Sequence, residues 1–326
     1  MASNYYRQLL TRLIPGKTFR GWAYTAFCKQ NPIDRPCNKK YPEVYNTLGE
    51  RMRFFYIQDK RMDMYGGYSQ YILWDRFNYA LENHFYTQKA IMRTIGKPIR
   101  KYAWLGESEV VTPDDFALFD LYPGLANEFN LIFTHSARIL DKYPNARFTF
   151  PTPLWYDCPL SDQAWQTKIK DVSIVSSAKT MSPLHDFRIS AARYCRQNHL
   201  ADAFGTFDGG PYIRLSESLK DYRFSVVIEN NITPYFFTER ITSCFAAMTI
   251  PVYMGAPKIS EFFNPDGIIN IPSMNMDDLN KTLKRCTEKE YRDRLEAVKD
   301  NFRRVQDYKC PEDYMWKQYL CHEGIE

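Results

Sequence analysis

Arg223-Phe224-Ser225-Val226-Val227-Ile228, then Glu229-Asn230-Asn231, then the run from Thr238-Glu239-Arg240 to Thr249-Ile250-Pro251-Val252-Tyr253-Met254-Gly255, read as strand, polar turn, helix and strand. The first six residues are a short apolar run of the kind that a parallel strand buried on both faces requires. Glu229-Asn230-Asn231 breaks the run with turn-forming side chains. From Thr238 onward, Ile241, Cys244, Phe245 and Met248 recur at helical spacing and make one apolar face. Thr249–Met254 returns as a strand that stops at Gly255. A strand-helix-strand unit of this kind aims its first loop and its helix N-terminus at one crevice, where such a sheet holds its ligand.

The same alternation extends in both directions. Arg53–Ile57, Tyr102–Leu105 and Asn130–Thr134 read as strands, the residues from Tyr71 to Leu81 as a helix, and Ser136 opens a helix through Ala137, Ile139 and Leu140. Pro151 and Pro153 punctuate the run from Phe148 to Leu154, and the polar stretch Asp162 to Lys170 is the expected domain boundary. Val172–Ser176 then begins a second domain, with a helix around Arg188 to Gln197; beyond Met276 the pattern is helical. Strands alternating with helices in both halves predict two doubly wound parallel sheets. The division expected is 1–160 for a first domain with a basic leading segment, 161–305 for a second, and 306–326 for a tail or helix that crosses back to the first.

Composition sets bounds on this reading. At 326 residues the chain exceeds the usual size of one core, and 16% aromatic content supplies stacking surfaces for sugars or bases. Eight cysteines contain no Cys-x-x-Cys pair and no zinc spacing, so buried free thiols at Cys195 and Cys244 and a reducing compartment are expected. No Asp-x-Asp arrangement suits a metal–diphosphate bridge, and Asp208-Gly209-Gly210 is too short for a phosphate loop. Residues 1–40 carry eight Lys or Arg against one acid, Asp34, so the net charge of +5 belongs to that segment. Mixed with Leu, Tyr and Trp, it is compatible with peripheral contact to an anionic membrane surface or with a helix packed on its own domain. No nucleic-acid motif accompanies the charge, so no nucleic-acid partner is expected. The chain shows no apolar run of ~18–20 residues and no signal-peptide core, which sets the expectation of a cytoplasmic protein, with the inner face of a membrane as its option.

Several polar residues sit where strands end or helices begin. Arg240, on the first turn of its helix, opposes the macrodipole, so an anionic partner gives it a purpose; an ion pair with Glu239 is the structural alternative. His185-Asp186-Phe187-Arg188 opens a helix after a turn that holds Lys179. Arg188 or Arg193 is a second candidate cation, and Lys179 a third. Glu229 and Asn230 either close their strand as a turn or face the ligand. Tyr235 and Phe236 either stack on a base or simply pack. In the first half, Gly106-Glu107-Ser108-Glu109 places carboxylates just past a strand, and His135 ends another strand. Burial beside Trp104 is expected to raise the pKa of Glu107 towards the range useful for proton transfer.

Glu229-Asn230, Phe236-Phe237-Thr238-Glu239-Arg240, Ile250–Gly255, Ser260–Pro265 and Ile268–Ile271 together resemble the donor-binding signature of the α-1,3-fucosyltransferases, glycosyltransferase family 10. The resemblance runs over residues 220–272; Phe236 stands where the family usually has Tyr, and Arg240 where it has Lys. It implies a GT-B type fold, with two Rossmann-like doubly wound domains facing across a cleft. It implies an inverting transfer of fucose from GDP-fucose to a glycan hydroxyl, with no cofactor beyond the nucleotide-sugar donor. By the same resemblance Glu107 is the general base, with Glu109 and His135 as second-line or acceptor-contacting residues. Arg188, Arg240 and Lys179 then face the diphosphate, and Glu229, Asn230, Tyr235, Phe236 and Glu239 the rest of the donor. Two alternatives stand beside this reading: a related enzyme using another nucleotide sugar, and a non-catalytic glycan- or nucleotide-binding module. A membrane-surface scaffold rests on the basic first segment alone.

Overall fold

The computed structural model describes residues 52–57, 69–75, 80–92, 94 and 96–323. The expectations for the basic segment 1–40 fall outside those residues. The first sheet contains β1 (Met52–Ile57), β2 (Ile72–Asp75), β3 (Asn83–Thr87), β4 (Arg100–Leu105), β5 (Leu131–Thr134) and β6 (Ala146–Phe148). They pair in the order β2-β1-β3-β4-β5-β6, all parallel. Helices α1 (Pro113–Leu121) and α2 (Ala137–Lys142) cover one face. The period of two sorts β4 cleanly: Ala103 and Leu105 join that helical layer, while Tyr102 and Trp104 join the opposite cluster.

The second sheet contains β7 (Lys170–Val175), β8 (Asp202–Phe204), β9 (Tyr222–Ile228), β10 (Ile250–Met254) and β11 (Ile269–Asn270). Its order is β11-β10-β9-β7-β8, again all parallel. Phe224, Val226 and Ile228 point into a layer with α3 (Pro183–Gln197), α5 (Met276–Leu283), α6 (Glu288–Asp293) and α7 (Leu295–Arg304). Val227 points the other way, towards α4 (Glu239–Ala246). Both sheets are therefore doubly wound, as the alternation of elements predicts. Cys195 and Cys244 are buried thiols on the core faces of α3 and α4.

One expectation is corrected, and one strand was not expected. Ile72–Asp75, read as part of a helix over Tyr71–Leu81, is the edge strand β2, paired in register with Met52–Phe55. Its apolar residues satisfy a helical period only because the window runs past the strand's end. β3 went unread because Asn83, His84 and Thr87 interrupt its apolar pattern, yet the whole strand is buried. The His84 ring is accommodated by local contacts: Nδ1 lies 2.9 Å from Tyr86 Oη and Nε2 2.6 Å from the Leu81 carbonyl.

Two connections join the halves. Phe150, just past β6, lies in the α4-side cluster of the second sheet, stacked on Phe237 and edge-on to Tyr308. In the other direction α8 (Pro311–Gln318) returns to the first sheet, where Met315 packs with Trp74, Phe85 and Tyr102. Asp313 accepts hydrogen bonds from Ser69 Oγ (2.6 Å) and the Gln70 amide (2.8 Å). No helix of the described residues is long and apolar enough to cross a membrane.

The returning helix carries a buried acid. Glu312 is fully enclosed, accepts from Trp74 Nε1 at 3.1 Å and from Cys310 Sγ at 3.3 Å, and burial pushes its carboxyl up to about 7 from 4.5. Between those values the folded chain holds a proton that the unfolded chain has released. Its contribution to stability is therefore full below the unfolded value, falls as pH rises through that window, and is level above it. Glu312→Gln is expected to gain up to about 3 kcal/mol on the wild type between pH 4 and pH 8. Urea denaturation of both proteins at the two pH values checks this; an unchanged difference removes the explanation.

Candidate functional site

In each sheet the strand order reverses beside its first strand: β1 lies between β2 and β3, and β7 between β8 and β9. Loops leave such a point in opposite directions and open a crevice at the carboxyl ends of the strands. Here the two carboxyl edges meet in one cleft of about 1720 Å³, lined from the first half by Thr87, Leu105 and Glu107 and from the second by Val175, Glu229 and Arg240. His185 and Arg188 of α3 reach the same space, as do Thr238 and Glu239 at the start of α4. The N-terminal turns of both helices therefore present backbone amides and positive dipole ends to it.

Side-chain charge reinforces those dipoles. Arg188 is buried; its Nη1 donates to the Ile228 carbonyl at 2.8 Å and its Nε has no partner. Among the described residues Arg240 reaches only the Val175 carbonyl, at 3.5 Å. Among the described residues neither guanidinium forms an ion pair, so the expected alternative of an Arg240–Glu239 pair is not realised. Burial, followed by the nearby Arg240, lowers Arg188 to about 9, while Glu229 and Glu239 partly oppose the shift. His185 falls to about 4 through burial and the positive field of Arg188, Arg240 and Lys179. It is neutral at pH 7, with Nδ1 3.0 Å from Oγ of the N-cap Ser182. At the starts of α3 and α4, two guanidiniums thus face the cleft with no carboxylate of the described residues in ion-pair contact.

Two carboxylates brace the helix start. Glu229 is fully buried and accepts from the Thr238 amide (3.0 Å) and from Thr238 Oγ1 (2.8 Å), pinning the α4 N-cap to the end of β9. Burial, then the nearby Glu239, pushes its carboxyl up to about 7. Gly255 permits this packing: a Cβ there would stand 2.6 Å from Glu229 Cγ and 2.2 Å from Tyr253 Oη. Glu239 accepts from Thr152 Oγ1 at 2.9 Å, and the Glu239 amide donates back to that hydroxyl at 3.0 Å. Asn230 lines the cleft with its Oδ1 buried and unpartnered.

Across the gap, Glu107 is exposed, so the expected burial beside Trp104 is not met. Its Oε1 accepts from the Ser108 amide at 2.8 Å. Lys179 is exposed at the rim. Glu109 does not line the cleft: it accepts from Ser136 Oγ at the start of α2 and lies 3.7 Å from Arg138. Tyr235 is also outside, held by Lys258 Nζ at 3.0 Å and packed on Phe148 and Phe262. Phe236 borders the cleft but is only 1% exposed, with its ring edge-on to His135. Neither aromatic offers a free face for a base. His135 is fully buried, its Nε2 2.9 Å from the Glu107 carbonyl. Arg193 pairs with Asp208 at 2.8 Å and leaves the cleft to Arg188.

Thr152 and His185 were missed in the sequence. For Thr152 a signal existed, a hydroxyl set between Pro151 and Pro153; for His185 there was only its place three residues before Arg188. Trp155 and the largely exposed Tyr212 stand at the cleft mouth. No group of three or more His, Cys, Asp or Glu among the described residues is arranged to hold a metal ion.

The family model described as glycosyltransferase family 10 (fucosyltransferase), C-terminal, matches residues 165–322. The α-(1,3)-fucosyltransferase FucT of Helicobacter pylori is 34% identical over 56 residues, a match spanning 17% of this chain and only 12% of that protein's length. Among solved structures, sucrose-phosphate synthase from Thermosynechococcus elongatus superposes with a TM-score of 0.51 at 11% identity, covering 76% of this chain and 74% of that one. An α1,3-fucosyltransferase with GDP-fucose gives a TM-score of 0.48 at 16% identity, covering 75% and 81%. The architecture is GT-B: two Rossmann-like domains facing across a cleft. Residues 165–322, which hold the second sheet and its helices, are thus similar to the C-terminal domain of glycosyltransferase family 10, the fucosyltransferase family.

Proposed function

We propose that the protein is an inverting glycosyltransferase that moves fucose from GDP-fucose to a glycan hydroxyl. The observation that carries this reading is the pair Arg188 and Arg240, unpaired with any described carboxylate, facing Glu107 across one cleft. In the reaction the acceptor oxygen attacks the anomeric carbon as Glu107 takes its proton. The bond from that carbon to the diphosphate breaks on the opposite side, and GDP leaves with the electron pair. The two guanidiniums and the amides of the α3 and α4 N-termini stabilise the charge that develops on the leaving oxygen. The first domain presents the acceptor and residues 161–305 hold the donor. Lys179 meets the diphosphate at the rim. Asn230, with its unpartnered carbonyl, and Glu239 contact the sugar or ribose hydroxyls.

A related enzyme using another nucleotide sugar is the second reading, favoured by Phe236 and Arg240 at positions where the family pattern differs. Release of nucleotide from GDP-fucose, GDP-mannose and UDP-glucose separates the two. GDP-fucose is expected to turn over at least about tenfold faster than either, a difference of ~1.4 kcal/mol in the barrier. Faster turnover of another sugar replaces the donor; absence of both turnover and GDP-induced thermal stabilisation removes the enzymatic reading.

A further inference from the structure

Glu107 projects from a loop into solvent, and exposed carboxylates ordinarily sample many positions, which is a poor arrangement for proton transfer. The segment Thr134-His135-Ser136, between β5 and α2, restrains that loop at two points. His135 Nε2 lies 2.9 Å from the Glu107 carbonyl, and Ser136 Oγ donates to the Glu109 carboxylate. A carbonyl only accepts, so Nε2 carries a proton, and burial, which lowers the pKa of this imidazole, favours the neutral Nε2–H tautomer. Nδ1 is then a buried acceptor without a partner. Space-filling alone would be served better by an apolar side chain, which leaves no such group stranded.

The ring has a second contact, on the opposite domain. Phe236, from the loop between β9 and α4, meets the imidazole edge-on with centroids 4.7 Å apart; Phe116 flanks it at 5.7 Å. Two residues after Phe236 comes Thr238, the cap held by Glu229, and two further is Arg240. A short run of packed groups thus links the donor wall to the backbone that carries Glu107.

We propose that His135 is a positioning residue: its Nε2–H sets the Glu107 loop, and its contact with Phe236 ties that setting to the donor loop. This rests on the proposed role of Glu107. Glutamine can offer an N–H near the place of Nε2, whereas leucine fills the space without a donor. In GDP-fucose hydrolysis, His135→Leu is expected to lower kcat about tenfold to a hundredfold with KM within about twofold, since a small misplacement of a reacting group costs on that scale. His135→Gln is expected to recover most of the loss. Phe236→Leu is expected to lower kcat less, and to add little in the His135→Leu background, as coupled neighbours do. Hydrogen exchange of residues 106–109, measured without substrate, should quicken in His135→Leu and not in His135→Gln.

Equal losses in both His135 variants that follow thermal stability would mean packing alone, and unchanged kcat in His135→Leu would likewise overturn the proposal. Full activity in Glu107→Gln would instead sink the base assignment, leaving hydrogen exchange to judge whether His135 holds the loop.

Discussion

Glu107→Gln is expected to lower transfer turnover by about 10²–10⁴-fold while leaving GDP affinity within about twofold of wild type. The size follows from removing a proton acceptor from the transition state and replacing it with an amide that cannot take a proton. The selectivity follows from geometry: Glu107 comes from the carboxyl end of β4, whereas the cations and helix termini that would hold GDP belong to the second sheet. GDP-fucose turnover and calorimetric titration with GDP, run on one preparation, check both halves. Retained turnover removes Glu107 as the base; lost GDP binding with lost turnover makes it a donor contact.

The second large effect concerns Arg188, and its sign is unusual. Arg188→Met is expected to weaken GDP binding about tenfold to a hundredfold, the worth of charge-assisted hydrogen bonds to a phosphate. The same substitution is expected to leave thermal stability without nucleotide unchanged or raised. A buried guanidinium with no ion-pair partner among the described residues and a second guanidinium nearby is a cost to the empty fold, since burial and Arg240 both lower its pKa. Methionine occupies a similar volume and relieves that cost, although the bond to the Ile228 carbonyl is lost. Arg240→Met should share the loss of GDP affinity with a smaller change in stability, because Arg240 is only half-buried. An arginine with a purely structural role would show the reverse: a marked fall in melting temperature and unaltered GDP binding.

The cleft wall built on β9 and α4 was the most legible part of the molecule because its parts are contiguous. β9, the turn at Glu229-Asn230, the N-cap Thr238 and β10 occupy one stretch of chain, and each obeys a local rule: an apolar run, a turn former, a capping hydroxyl, a second run. The first domain was less legible. β3 hides its strand pattern behind Asn83, His84 and Thr87, which are buried only once neighbouring strands enclose them, the His84 ring being bonded within its own segment. β2 is four residues long, too short for its period to outweigh the residues that follow.

Local sequence by itself determined the alternation of strands and helices, the position of the loop between β9 and α4, and which residue types stood at strand ends and helix starts. Those properties follow from side-chain pattern and backbone preference over a few residues. Only the tertiary structure decided that Arg188 faces Arg240, that Phe236 turns onto His135 rather than into open space, and that Thr152 reaches Glu239. It also left Glu107 exposed where the sequence suggested burial. Each of these outcomes depends on which strands become neighbours and how the two sheets meet, and a local pattern carries no record of partners so distant along the chain.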